Sequence, residues 1–272
     1  QAGADSIDIK ITTEDLWTTI FGVSSEGGGG LYKLSVYADE KNIAGLGIGV
    51  ETDVQFTTDD NDGYSFHLFD YRFLGTRNVA DLKLKDFNLE DELELTLFRP
   101  FYSVDARWSY SIQYFGQQLM PRLFSQGEKY FQYKTDYTYW ALIGTRAFGR
   151  YTRLLPNIQF TYRKSDYTEL RDYPDIGIIP DDETISGPGL GLKLSTFRYK
   201  TATYLDEFGT TEDLTEHAFI SANVLRSSSE FGADYEATLV SLETGFFFQP
   251  VSGVYTGFKN SYTHNYIGDL KR

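Results

Sequence analysis

Apolar and polar side chains alternate with a period of two along much of the chain. In 107–114, Trp108, Tyr110, Ile112 and Tyr114 oppose Arg107, Ser109, Ser111 and Gln113. Residues 158–163 repeat this, with Ile158, Phe160 and Tyr162 against Gln159, Thr161 and Arg163. In 46–56, Leu46, Ile48, Val50, Val54 and Phe56 face away from Gly47, Gly49, Glu51, Asp53 and Gln55. Ala80, Leu82 and Leu84 stand against Asp81, Lys83 and Lys85, and Leu93, Leu95 and Leu97 against Glu94 and Thr96. Period-two alternation puts successive side chains on opposite faces of a strand. Read this way, the chain contains about thirteen strands.

Several of these runs are long. Segments 46–56, 107–118, 132–148 and 233–248 exceed the five or six residues usual in soluble sheets. A tilted strand needs about 9–11 residues to cross hydrocarbon. The connections alternate in character too. Ser24–Gly30, Thr57–Gly63, Gln117–Lys129 and Ser165–Gly189 are polar and rich in Gly or acids. Lys41–Ala44, Gly75–Asn78, Phe101–Ala106 and Gly149–Leu154 are compact, while 200–216 is long where a short turn is expected. Long loops at one end and short turns at the other suit a membrane barrel. The expected fold is therefore all-β: an antiparallel transmembrane β-barrel of about 12–16 strands. It occupies 13–272, with 1–12 as an N-terminal segment.

Composition narrows the alternatives. A length of 272 residues suits one large all-β domain. Mean hydropathy is −0.37, yet 17% of residues are aromatic, more than a disordered acidic chain would carry. No apolar run approaches the roughly 20 residues of a membrane helix, and no signal peptide is recognisable. The absence of cysteine fits an oxidising compartment. A formal charge of −14 argues against nucleic acid as a partner.

Two segments then resemble the barrel of the BamA/TamA outer-membrane surface-antigen superfamily. One is Tyr71-Arg72-Phe73-Leu74-Gly75-Thr76-Arg77-Asn78; the other begins Arg99-Pro100-Phe101-Tyr102-Ser103-Val104 and ends Asp105-Ala106-Arg107-Trp108. Asp15, Trp17 and Thr18, the turn Asn42, Ile43, Gly45 and Gly47, and the pair Glu212-Asp213 add to the likeness. The resemblance implies a bacterial outer-membrane location and a sixteen-stranded barrel behind periplasmic POTRA repeats. It also implies that 1–12 is the tail of a periplasmic element, followed by a lateral seam with Trp17, Thr18, Thr19, Ile20, Phe21, Gly22 and Val23 as one lip. Gly75, Arg99, Pro100, Phe101, Tyr102, Asp105 and Trp108 become structural motif residues. The implied work is non-enzymatic protein or lipid assembly or translocation, with a solute channel or a structural anchor as alternatives. Implied partners are outer-membrane lipid and lipopolysaccharide, client polypeptides, and periplasmic or outer-membrane proteins. No Arg-Gly dipeptide occurs, and Asp269-Leu270-Lys271-Arg272 lacks a terminal aromatic, so the chain departs from the family there.

Conventional catalytic patterns are weak. His67, His217 and His264 lie far apart without paired metal-ligand spacing. No Gly-x-Ser-x-Gly elbow occurs. Gly45-Leu46-Gly47-Ile48-Gly49 is followed by a strand rather than the helix a dinucleotide site needs. Its glycines read instead as small inward residues in a curved strand. Asp59-Asp60-Asn61-Asp62-Gly63 lacks the closing Glu of a calcium loop and reads as a hairpin turn. Asp166, Glu169, Asp172, Asp175, Asp181, Asp182 and Glu183 read as a wet loop, or as one bridged by divalent cations to lipopolysaccharide. Inward Glu51, Asp53, Lys83, Lys85, Arg107 and Arg163 either line a pore or fill a lumen with ion pairs. No catalytic, cofactor or metal residue is assigned, and the chain is expected not to be an enzyme.

Overall fold

A strand leaves half its backbone N–H and C=O groups pointing to each side, and both rows need partners. Here each strand pairs with its successor. The computed structural model describes residues 18–125, 128–169, 179–203, 211–251 and 254–267. The first seven strands are β1 (Thr19–Gly28), β2 (Leu31–Glu40), β3 (Ile48–Thr57), β4 (Gly63–Asp70), β5 (Val79–Phe87), β6 (Glu90–Arg99) and β7 (Trp108–Leu119). They are followed by β8 (Arg122–Ser125), β9 (Glu128–Arg146), β10 (Thr152–Glu169) and β11 (Glu183–Thr203). The last three are β12 (Thr211–Ser227), β13 (Ala237–Val251) and β14 (Val254–Ile267). All ladders between neighbours are antiparallel. The short β8 continues the line of β7 against β9, keeping one register from Leu119↔Thr135 to Arg122↔Gln132.

Local chemistry fixes the turns. Gly29 (φ +60°) and Gly30 (φ +87°) make the two-residue reversal between β1 and β2, a backbone shape that favours glycine at both positions. The β2–β3 and β4–β5 connections use one device twice. Each is a single 3₁₀ turn, Ile43–Gly45 and Phe73–Gly75, with left-handed Ala44 (φ 50°) and Leu74 (φ 54°) inside. An acid two residues earlier accepts the N–H that starts each turn: Glu40 from Asn42 and Asp70 from Arg72, both at 2.8 Å. In the β3–β4 loop Asp62 accepts the Thr57 N–H at 2.6 Å, while Asn61 accepts the Leu89 N–H across to the β5–β6 turn. These acids and amides serve the backbone.

The closed barrel expected from the sequence is not present. The sheet runs β1-β2-β3-β4-β5-β6-β7-β9-β10-β11-β12-β13-β14, and its two end strands do not meet. Strand parity explains why. Of the fourteen strands among the described residues β8 lies off the path, so thirteen remain and β1 runs in the same direction as β14. An antiparallel ladder cannot join them. The seam assigned to residues 17–23 thus has no opposing lip; Trp17 lies outside the described residues, and β1 pairs with β2 alone among them. Among the described residues the sheet presents open edges at β1 and β14 in place of the sealed ladder of a membrane-spanning barrel. The transmembrane outer-membrane location, and the translocation, channel and anchor functions built on closure, fall with it.

Several boundaries move as well. Ser24–Gly28 belongs to β1, leaving a turn of two glycines. Ser165–Glu169 and Glu183–Gly189 extend β10 and β11, and most of 200–216 belongs to β11 and β12. Gly47 (φ +74°) and Leu46 lie in the turn before β3. Arg107 precedes β7 and is exposed, so it does not line the polar face. Segment 1–12 and residues 170–178 lie outside the described residues.

Candidate functional site

Register sorts the sheet into two chemically opposite faces. On one face the directly opposed residues across β5, β6, β7 and β9 include Leu82↔Leu95, Leu97↔Ile112 and Ile112↔Leu142. The row continues through Ile158↔Leu190 and Leu190↔Val224 to Val240. These side chains are open: Ile158 is 67% exposed, Leu190 66% and Phe21 75%. Charged residues on this face sit toward strand ends. Asp86, Asp91, Asp136 and Lys164 mark one end, and Arg99 and Arg146 mark the other. Across β6, for example, Asp91 and Arg99 bracket Leu93, Leu95 and Leu97.

The other face is polar, and its charges pair across strands. Lys83 meets Glu94 at 3.0 Å, and Lys85 meets Glu92 at 3.0 Å and Glu90 at 3.7 Å. The Glu94 carboxylate holds the Lys83 ammonium above its usual pKa. His67 lies between Glu51 and Asp81, at 3.2 and 3.1 Å from its two ring nitrogens. Arg163 reaches Glu183 at 3.1 Å, and Lys259 reaches Glu243 at 2.7 Å. Gly49 lets the Phe69 ring lie across the neighbouring strand, where a Cβ would approach it to 1.9 Å. The reading of Gly49 as a small residue relieving crowding agrees with this contact.

One end of the sheet gathers the motif residues that the sequence singled out. Gly75 (φ +71°) closes the 3₁₀ turn that brings Arg77 forward. The Arg77 guanidinium lies 4.0 Å above the Tyr102 ring, and Arg99 donates to the Tyr102 hydroxyl at 3.3 Å. Arg99 and, behind it, Arg77 hold this phenol below its usual pKa. Arg146 lies 4.2 Å above Trp108, and the buried Arg153 lies 4.4 Å above Phe101 while donating to the Ala106 carbonyl. Arg150 pairs with Asp105 at 2.6 Å. Pro100 shapes the start of the connection, where its carbonyl accepts the Tyr102 N–H at 2.9 Å. Cation–π contacts of this kind hold a guanidinium flat while leaving its edge N–H groups for other acceptors.

Sequence reasoning found most of these residues but not Arg146, Arg150 and Arg153. Those three come from the end of β9, the β9–β10 turn and the start of β10, which register alone carries to the β6–β7 connection. The histidines stay apart on β4, β12 and β14. Among the described residues no three or more His, Asp or Glu gather as a metal would require. Glu183, read as a loop acid, begins β11 and takes hydrogen bonds from Arg163 and Tyr235. Burial and the Glu183 carboxylate push the Tyr235 phenol up to about 12.

No protein-family model matches this chain, and no curated protein matches it. The resemblance to the BamA/TamA superfamily therefore has no support from comparison, and the open sheet contradicts the barrel it implied.

Proposed function

We propose that this chain is a non-catalytic, lipid-binding β-sheet that lays its apolar face on hydrocarbon without crossing a bilayer. The observation that carries the reading is the uncharged apolar band itself. Thirteen strands at about 4.8 Å spacing give a width of roughly 60 Å. Three or four outward side chains per strand make the band roughly 20 Å tall. That is on the order of 1,000 Å², well above the largest apolar patch usual on a monomer. Water cannot be the resting neighbour of such a face at about 25 cal/mol per Å².

Two features favour lipid over a protein partner. Charges stand only at the strand ends, so none of them would have to enter hydrocarbon. Tyr110, Trp108 and Tyr102 border it at one end, and Tyr and Trp favour the boundary between hydrocarbon and headgroups. Gly144, in the row between Tyr110 and Ile158, leaves a trough lined by Ile112, Leu142 and Leu190. A sheet that lies on lipid keeps its β1 and β14 edges at the interface, where water satisfies them.

Vesicle flotation tests this. The chain is expected to float with phosphatidylcholine vesicles, and the double substitution Leu95→Asp with Leu142→Asp is expected to release it. A chain that stays at the bottom of the gradient would contradict the reading. So would a lipid-indifferent, face-to-face dimer seen by sedimentation, because a second copy would then cover the band.

A further inference from the structure

The lipid reading leaves open which headgroup lies at the rim. At the end carrying Tyr102 and Trp108, three guanidinium groups border the apolar face: Arg77, Arg99 and Arg146. Among the described residues none of them has a carboxylate partner. The acids nearby in the connections are already used. Glu40 accepts from Thr18, Thr19 and the Asn42 N–H, Asp70 accepts from the Arg72 N–H, and Asp105 pairs with Arg150. At the opposite end of the same face Lys164 and Arg226 are paired with Asp166 and Glu236, and Asp86, Asp91 and Asp136 share that end. The basic character is therefore local to one rim.

Resting on the lipid reading, we infer that Arg77, Arg99 and Arg146, held by Tyr102 and Trp108, form a subsite for the phosphate of an anionic lipid headgroup. Arginine suits the task because its planar fork meets phosphate oxygens in pairs. Stacking on the rings fixes the fork before the ligand arrives, which lowers the ordering cost of binding. The ring edges lie beside the band, so one lipid can place its acyl chains on Ile112 and Leu142 and its phosphate at the rim. A soluble phosphate would gain only the second half of that contact.

Binding of the full chain to phosphatidylcholine vesicles, with and without phosphatidylglycerol, tests the subsite. The chain is expected to prefer the anionic vesicles. Replacing Arg77→Gln, Arg99→Gln and Arg146→Gln is expected to remove the preference, by about fivefold per arginine, while binding to phosphatidylcholine alone persists. The Arg→Lys set at the same positions keeps the charge, and is expected to retain part of the preference. Lys164→Gln with Arg226→Gln, away from this rim, is expected to leave it intact. A preference that survives in the glutamine set overturns the subsite. So does displacement by inorganic phosphate in place of lipid. A chain that binds neither vesicle overturns the lipid reading and the subsite together.

Discussion

Lys83 on β5 and Glu94 on β6 stand directly opposite in register, and their side chains close to 3.0 Å on the polar face. The pair is half-exposed, at 39% and 31%, so solvent screens much of its attraction. Its value lies in neighbourhood, since Glu92 and Lys85 form the next rung two residues along.

Breaking that rung is expected to be mild and reversible by exchange. Lys83→Met leaves Glu94 without its cation and is expected to cost about 1 kcal/mol. The exchange Lys83→Glu with Glu94→Lys is expected to recover most of that cost. Equilibrium unfolding of the wild type, both single variants and the exchange closes the double-mutant cycle.

Crowding at Gly49 makes a second expectation. A methyl group there would reach the Phe69 ring, so Gly49→Ala is expected to destabilise the sheet by about 1–3 kcal/mol. Trimming the ring with Phe69→Leu is expected to rescue Gly49→Ala. Thermal melts of the two single variants and the pair read this out, and additive losses would refute the contact.

Much of the fold was legible in local pattern. Trp108, Tyr110, Ile112 and Tyr114 against Ser109, Ser111 and Gln113 announced β7 and which side each residue takes. Other features depend on long-range pairing and on register. The count of about thirteen strands was legible, but whether β1 meets β14 depends on pairing between distant strands, which no local run of residues records. Ser165–Glu169 looked like loop because its acids and polar residues hid the alternation that continues β10. The arginine–aromatic rim was half visible. Arg99, Tyr102 and Trp108 lie close in sequence, whereas Arg146 meets Trp108 across the β7–β9 ladder and Arg77 comes from the β4–β5 connection beside β6.

The Tyr235–Glu183 contact makes a pH expectation with a definite sign. Burial, then the hydrogen bond to Glu183, raises the Tyr235 pKa to about 12, above its ordinary value of 10.0. The folded state thus holds this proton more tightly than the unfolded state. The stabilisation is complete below about pH 10 and is lost as pH rises through about 12. Ultraviolet titration is expected to lose a late-ionising phenol in Tyr235→Phe and to show that phenol ionising earlier in Glu183→Gln. A wild-type profile superimposable on Tyr235→Phe would remove the effect.

A carboxylate in the β12–β13 connection has the opposite sign. Hydrogen bonds from the Ser229 N–H and the Ser228 hydroxyl, with Arg226 nearby, hold Glu236 below its ordinary value of 4.5. This stabilisation is present above that ordinary value and is lost as pH falls through the lowered one. The protection of the Ser229 amide against hydrogen exchange, taken relative to its intrinsic rate at each pH, is expected to fall on acidification in the wild type. In Glu236→Gln it is expected to be low already and to lack this acid-dependent fall.

The most direct test of the lipid-facing band uses tryptophan as a depth probe. Trp108 and Trp140 lie on the apolar face, and Tyr139 lies on the polar face beside Arg163. Three chains, each with a single tryptophan at 108, 140 or (through Tyr139→Trp) 139 and phenylalanine at the other native tryptophan positions, are mixed with vesicles of brominated phosphatidylcholine. The account predicts strong quenching at 108 and 140 and little at 139. Equal quenching at all three positions, or none at 108 and 140, would contradict it.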